Sequence, residues 1–355
     1  MTFQDTAESY PFPAAMSTSG KAEELIGRWM ATNASKRKDL ILSSSVSGYS
    51  DQMNWLRGSN EGTRLTRQQI IQAVDASLKR LNTDYLDILQ LHWPERYVPM
   101  NGAPEYLPKL ERSDVTSIED QLQVMDELIK AGKIRAFGLS NETPYGVAAF
   151  STAARLLNLP RPVLTQCTHN LLVRNDLESG MIEACAPPNA DVAILACSPL
   201  AGGALTGKYL DAKTVPPNAR MRQFVGFMNR FIAPPALEAT RLYKEVAAEV
   251  SVPLTPLALA WVYSRPYVTS TVVGATSAQQ LMDNVLPLNL QPLSEEVNSL
   301  LDKVYRQYLD PCRGVFDVTD PHMEYTDPST LPWGGKDMDV DPDLDILLTQ
   351  RFQRF

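Results

Sequence analysis

His92 is the residue in this chain best placed for acid–base chemistry. It follows an apolar run, Leu86, Ile88, Leu89 and Leu91, built like a strand buried on both faces. Trp93 and Pro94 stop that run, because proline has no N–H to give a sheet ladder. His92 therefore stands at a strand's carboxyl end, where α/β folds gather ligands and catalytic groups. For this histidine alone, capping a strand is the simpler account. Two further strand ends change the balance: Asp5 with Tyr10 near the start, and Ser45 after Leu40-Ile41-Leu42. A carboxyl, a phenol, a hydroxyl and an imidazole would then share one face.

The elements that must position these groups alternate regularly. Strands are expected at residues 1, 40, 86, 134, 163, 192 and 270. Helices are expected over Gly20–Asn33, from Thr66 through Leu81, from Ser117 to Gly132, and after Thr143-Pro144. Others are expected over Leu177–Cys185, Ala236–Val250 and Pro256–Ser264, then after Ser277, and at Glu295–Tyr308. Thr66 with Gln69 reads as a capping box, and Thr143 with Pro144 as an N-cap followed by proline at the first helical position. Strand and helix in turn imply parallel strands with helical crossovers. Seven strands are one short of a (β/α)8 barrel, and no G-x-G-x-x-G follows a first strand to support a doubly wound sheet. The expected fold is thus a TIM barrel, N-terminally incomplete, over residues 1–309, with an acidic C-terminal extension at 310–355. A barrel short of a strand exposes two ladder edges. The tail, a partner chain, a second copy or an upstream segment is expected to cover them. A mis-started gene product is a third way to account for the gap.

Composition excludes several functions. A net charge of −8 and a pI near 5.1 argue against nucleic acid and acidic membrane surfaces. No apolar run is long enough to span a bilayer. The opening Met1–Asp5 has neither a basic nor an apolar leader region, so no signal peptide is expected. Cys167, Cys185, Cys197 and Cys312 are widely spaced, without a metal-type pair. Free thiols in a reducing, cytoplasmic setting follow, with no metal.

The motifs together resemble the aldo-keto reductase family from Asp5 to about Tyr308. They are Asp5-Thr6-Ala7-Glu8-Ser9-Tyr10, Ser77–Leu81 with Asp84–Asp87, Leu91–Pro94, Gly132–Arg135 with Gly138–Asn141, Leu205–Tyr209, and Gly274–Thr276 with Gln280, Leu281 and Asn284. Val46-Ser47-Gly48, with Ser140–Thr143, looks most like its bacterial Tas-type branch. The resemblance implies hydride transfer from NADPH to a small-molecule carbonyl. Tyr10 matches the proton donor, His92 the histidine that orients the carbonyl, and Asp5 the aspartate that holds a lysine. A phenol titrates near pH 10 unaided, and the family's lysine corrects this.

Here that lysine position holds Ser45. Lys38 lies seven residues earlier and is expected on the same strand, too far away and on the opposite face. Tyr10 is therefore expected to keep a near-normal pKa. For the cofactor, Ser140, Asn141 and Gln166 match the carboxamide site, and Ser198, Leu200 and Lys208 the loop over the pyrophosphate. Gly274, Thr276, Gln280 and Asn284 match the adenosine-phosphate site, where a helix N-terminus favours an anion. Cys167, His169 and Cys197 replace residues usual around the nicotinamide. The leading expectation is an NADPH-dependent reductase of aldehydes or ketones, with Ser45 slowing it. The alternative is a catalytically impaired NADP(H)-binding barrel with a sensor or regulatory role, as in the family's potassium-channel β subunits.

Overall fold

A computed structural model of the chain describes residues 2–58, 62–290 and 292–314. All seven expected strands form: β1 Thr2–Asp5, β2 Leu40–Val46, β3 Leu86–Leu91, β4 Ile134–Ser140, β5 Leu164–Thr168, β6 Ala193–Cys197 and β7 Ser270–Thr271. They pair in parallel, each with its sequence neighbours, in the order β1 to β7. Among the described residues β7 and β1 do not pair. The sheet is a (β/α)8-type barrel lacking one strand. β7 is only two residues long, and just beyond it the Val272 N–H still donates to the Ala196 carbonyl at 2.8 Å.

The helices lie outside the sheet. They are α1 Lys21–Thr32, α2 Arg67–Leu81, α3 Ile118–Lys130, α4 Pro144–Leu157, α5 Asn175–Glu178 and α6 Met181–Cys185. Then come α7 Arg220–Gln223, α8 Pro234–Glu249, α9 Leu254–Tyr263, α10 Ala278–Val285 and α11 Glu295–Gln307. The helix expected over Leu177–Cys185 is two helices, broken at Gly180, whose φ of 153° only glycine adopts readily. Thr66 caps α2 by accepting from the Gln69 N–H, but the Gln69 side chain serves the Arg64 N–H instead of closing the box. Thr143 and Ser277 cap α4 and α10 as expected.

Each strand's outer face is apolar and packs on helices. Leu42, Leu89, Phe137 and Leu139 join Ile70, Val74, Leu122 and Phe150 in one core. A second core gathers α8, α9 and α11 around Tyr243, Trp261 and Leu301, and includes Cys312. Residues 310–314 thus pack on the barrel. The acidic extension from 315 onward lies outside the described residues, as does Met1. Among the described residues no single helix is long and apolar enough to cross a membrane.

Candidate active site

Strand register places the chemistry. Asp5 pairs with Ser43, Ser45 with Gln90, Gln90 with Gly138, Ser140 with Gln166, and Thr168 with Cys197. Paired residues point to the same side of a sheet, so all of these face the barrel interior. The inner wall carries these small and polar side chains beside Ile88 and Leu195, while the outer wall is largely apolar. The loops after the strands add Tyr10 and His92 at the carboxyl end. The two rings lie 5.5 Å apart, edge to face, and Phe12 sits 5.0 Å from Tyr10 and 6.0 Å from His92. Phe227 stacks on Phe12 from the other side, and Trp93 lies against His92 at 4.9 Å. Gly48 of the Val46–Gly48 motif is needed because a Cβ there would collide with the Trp93 carbonyl oxygen.

Burial governs the charges. It pushes the His92 imidazole down to about 4, so the ring is neutral at physiological pH. Its Nδ1 is buried and finds no hydrogen-bond partner among the described residues. The expectation of a near-normal Tyr10 is corrected: burial first, then the Asp5 carboxylate, drive the phenol well above its usual pKa. Burial likewise pushes Asp5 up to about 6, against hydrogen bonds from Gln166, Ser43 and Gln90 that favour the anion.

Ser45 is buried on the inner wall, beside Gln90 and two residues along from Asp5's neighbour Ser43. Lys38 is not on the strand at all; it is exposed in a 3₁₀ turn, Ala34–Asp39, at the strand's amino end. Its on-strand placement is corrected, and its distance from the site stands. Asp5 instead receives two amides. Gln90 Nε2 donates to Oδ1 at 2.8 Å and Gln166 Nε2 to Oδ2 at 3.1 Å.

The residues matched to the cofactor form two groups. Asn141, with a left-handed φ of 54°, donates to the His92 carbonyl at 2.8 Å and lies beside Ser140. Ser198 is also left-handed, and its carbonyl accepts from Asn170. Cys197 lies half-buried against Thr168, with burial pushing its thiol up to about 11. Cys167 faces the outer core, and His169 stacks on Trp261. Neither lines the inner wall.

Beyond them, Leu200 precedes a tight turn, and the half-buried Lys208 reaches toward Gly203. Burial and the nearby Arg220 guanidinium lower the Lys208 pKa. Among the described residues neither cation has a carboxylate partner. Two unpaired cations side by side fit an anion such as a pyrophosphate. Gly274, Thr276 and Gln280 are exposed together at the start of α10, with open space above Gly274. Asn284 braces this turn by donating to the Gly274 carbonyl, and Gln280 holds the Thr276 N–H and hydroxyl. The residues present thus fit a dinucleotide phosphate.

Three contributors are not marked by motif. Gln90 is signalled only as one polar residue inside an apolar strand. Arg220 lies in a long loop. Arg57 forms a buried bidentate pair with Glu8 at 2.6 and 2.7 Å, and Glu8 also accepts from the Ser47 N–H. Glu8 acts electrostatically on His92 from behind, favouring its protonation against the larger effect of burial.

The histidines set an acid response. Burial holds His92 near 4 and His169 near 3, both below the free value of 6.5. As pH falls below 6.5 the unfolded chain takes up these protons first, so stability is lost between about pH 6.5 and 4. Asp5 acts oppositely, since its raised pKa favours the folded state as pH falls through 6. Two histidines against one carboxyl leave a net loss, on the order of 3 kcal/mol at about 1.4 kcal/mol per unit. Urea midpoints at pH 7 and pH 4.5 should show it, and His169→Gln should flatten the difference.

Comparison with known proteins identifies the family. The model of the aldo/keto reductase family matches residues 1–306. An aldo-keto reductase of Babesia bovis is 40% identical over 286 residues, covering 77% of this chain and 98% of that protein. Protein tas of Escherichia coli is 38% identical over 311 residues, covering 86% of each. A probable voltage-gated potassium channel subunit beta of Arabidopsis thaliana is 28% identical over 306 residues, covering 86% of this chain and 82% of that protein. With its Tyr10–His92 mouth, its polar inner wall and its parallel barrel sheet, this chain belongs to the aldo/keto reductase family and is an oxidoreductase by descent.

Proposed function

We propose that the chain reduces an aldehyde or ketone to an alcohol with NADPH, slowly because Ser45 stands where the family's lysine is expected. The observation that carries this is the neutral His92 imidazole 5.5 Å from the Tyr10 phenol ring at the barrel mouth. NADP(H), when bound, supplies the hydride. Tyr10 gives its phenolic proton to the carbonyl oxygen, and the neutral His92 orients that oxygen by hydrogen bonding. Phe12, Phe227 and Trp93 keep water from the site. Lys208 and Arg220 hold the pyrophosphate, while Gly274, Thr276 and Gln280, braced by Asn284, hold the adenosine phosphate. The protein works in the cytoplasm on this reading.

The raised Tyr10 pKa and the uncharged Ser45 favour a second reading, an NADP(H)-binding sensor without turnover. One relative is named a probable voltage-gated potassium channel subunit beta, a name that carries no enzymatic activity. Fluorescence titration with NADPH and NADH tests what the two readings share. NADPH should quench and bind more tightly than NADH, and Lys208→Ala with Arg220→Ala should weaken it at least about tenfold, as loss of charge-assisted contacts would. No quenching by NADPH at millimolar levels would remove both readings.

A further inference from the structure

We propose that Gln90 is a positioning residue which, through Asp5, turns the Gln166 amide so that its carbonyl oxygen faces the cofactor. The inference rests on the proposed NADPH reading, with Gln166 at the nicotinamide carboxamide as the family resemblance implies. Gln90 is fully buried in the middle of β3 and points inward. Its amide donates to Asp5 Oδ1 at 2.8 Å and to Ser43 Oγ at 2.8 Å. With both protons so used, its Oε1 can only accept, and it accepts from Gln166 Nε2 at 3.2 Å. The same Gln166 nitrogen reaches Asp5 Oδ2 at 3.1 Å.

An ionised carboxylate only accepts, so the ring closes one way. Both amides must turn their NH₂ groups toward Asp5. The alternative orientation of Gln166 would set its oxygen against two other oxygens. Its Oε1 is thereby left as an acceptor on the far side from Asp5. An acceptor there suits the NH₂ of a carboxamide. The titratable groups that reach Asp5 are Tyr10 and Cys197, and burial keeps both neutral at working pH. Asp5's own protonation is therefore what can loosen the arrangement: a protonated carboxyl can donate, and the amides are no longer held to one orientation.

The test compares NADPH with 2′,5′-ADP, which lacks the nicotinamide half, across pH 5 to 8. Gln90→Met keeps the volume and removes every polar contact. It should weaken NADPH roughly tenfold, the size of one hydrogen bond, and leave 2′,5′-ADP unchanged. The pH at which NADPH affinity changes should move upward, because Asp5 has lost a donor. Gln90→Glu should bind NADPH poorly at pH 8 and recover on acidification, when the new carboxyl can donate to Asp5 again; a space-filling role would show no such recovery. Unchanged NADPH affinity in Gln90→Met, or equal weakening of both ligands, would overturn the assignment. A parent protein that binds neither ligand would instead remove the cofactor reading, and this inference with it.

Discussion

Ser45→Lys is expected to reduce a nitrobenzaldehyde with NADPH on the order of 100-fold faster than the parent, as two pKa units of phenol acidity would give. Tyr10 is held far above its free value by burial and by Asp5, and the Arg220 guanidinium offsets them only in part. The new side chain would start from a buried inward position next to Gln90, on the wall that carries Asp5. An ammonium there costs desolvation, but a carboxylate stands ready to pair with it. It would compete with Gln90 and Gln166 for the Asp5 oxygens and relieve the burial effect on both Asp5 and Tyr10. Tyr10→Phe in the same background should abolish the gain. If Ser45→Lys folds, binds NADPH and is no faster, the defect lies in the nicotinamide wall around Cys197.

Arg57→Ala should destabilise the fold by about 3–5 kcal/mol, the cost of leaving a buried charge without its partner. Both side chains of the Arg57–Glu8 pair are 2% exposed, and Glu8 cannot recruit water. Replacing both partners with methionine should recover most of the loss, since apolar packing replaces a buried pair with little net change. Urea denaturation of the parent and the two variants reads this directly. A single mutant within about 0.5 kcal/mol of the parent, the range of an ordinary surface substitution, would show that Glu8 finds another partner. The pair also bears on the site, because an uncompensated Glu8 would raise the His92 pKa toward the physiological range.

Much of this architecture is legible in the chain. The seven strands follow from apolar runs, and their carboxyl ends follow from what stops them, as Pro94 stops β3. The caps at Thr143 and Ser277 are local chemistry, so local sequence shows them. The inner-wall network is not local. Asp5 and Gln90 are 85 residues apart, and Asp5 and Gln166 are 161 apart. Only the register of the curled parallel sheet brings them together. Arg57 and Glu8, 49 residues apart, are hidden for the same reason. Charge-state reasoning from the missing lysine alone also fell short at Tyr10, because burial outweighs the neighbouring charges. The turn that holds Lys38 is basic and polar and abuts the strand without a break in spacing, so the sequence does not separate the two.

The most direct test of the account follows deuterium from labelled NADPH into product. Parent protein incubated with the labelled cofactor and a nitrobenzaldehyde should yield an alcohol carrying deuterium on the carbinol carbon, slowly, and Tyr10→Phe should yield none. NADPH that binds tightly while no label reaches the alcohol, even with excess protein and long incubation, would contradict carbonyl reduction and leave cofactor sensing as the function.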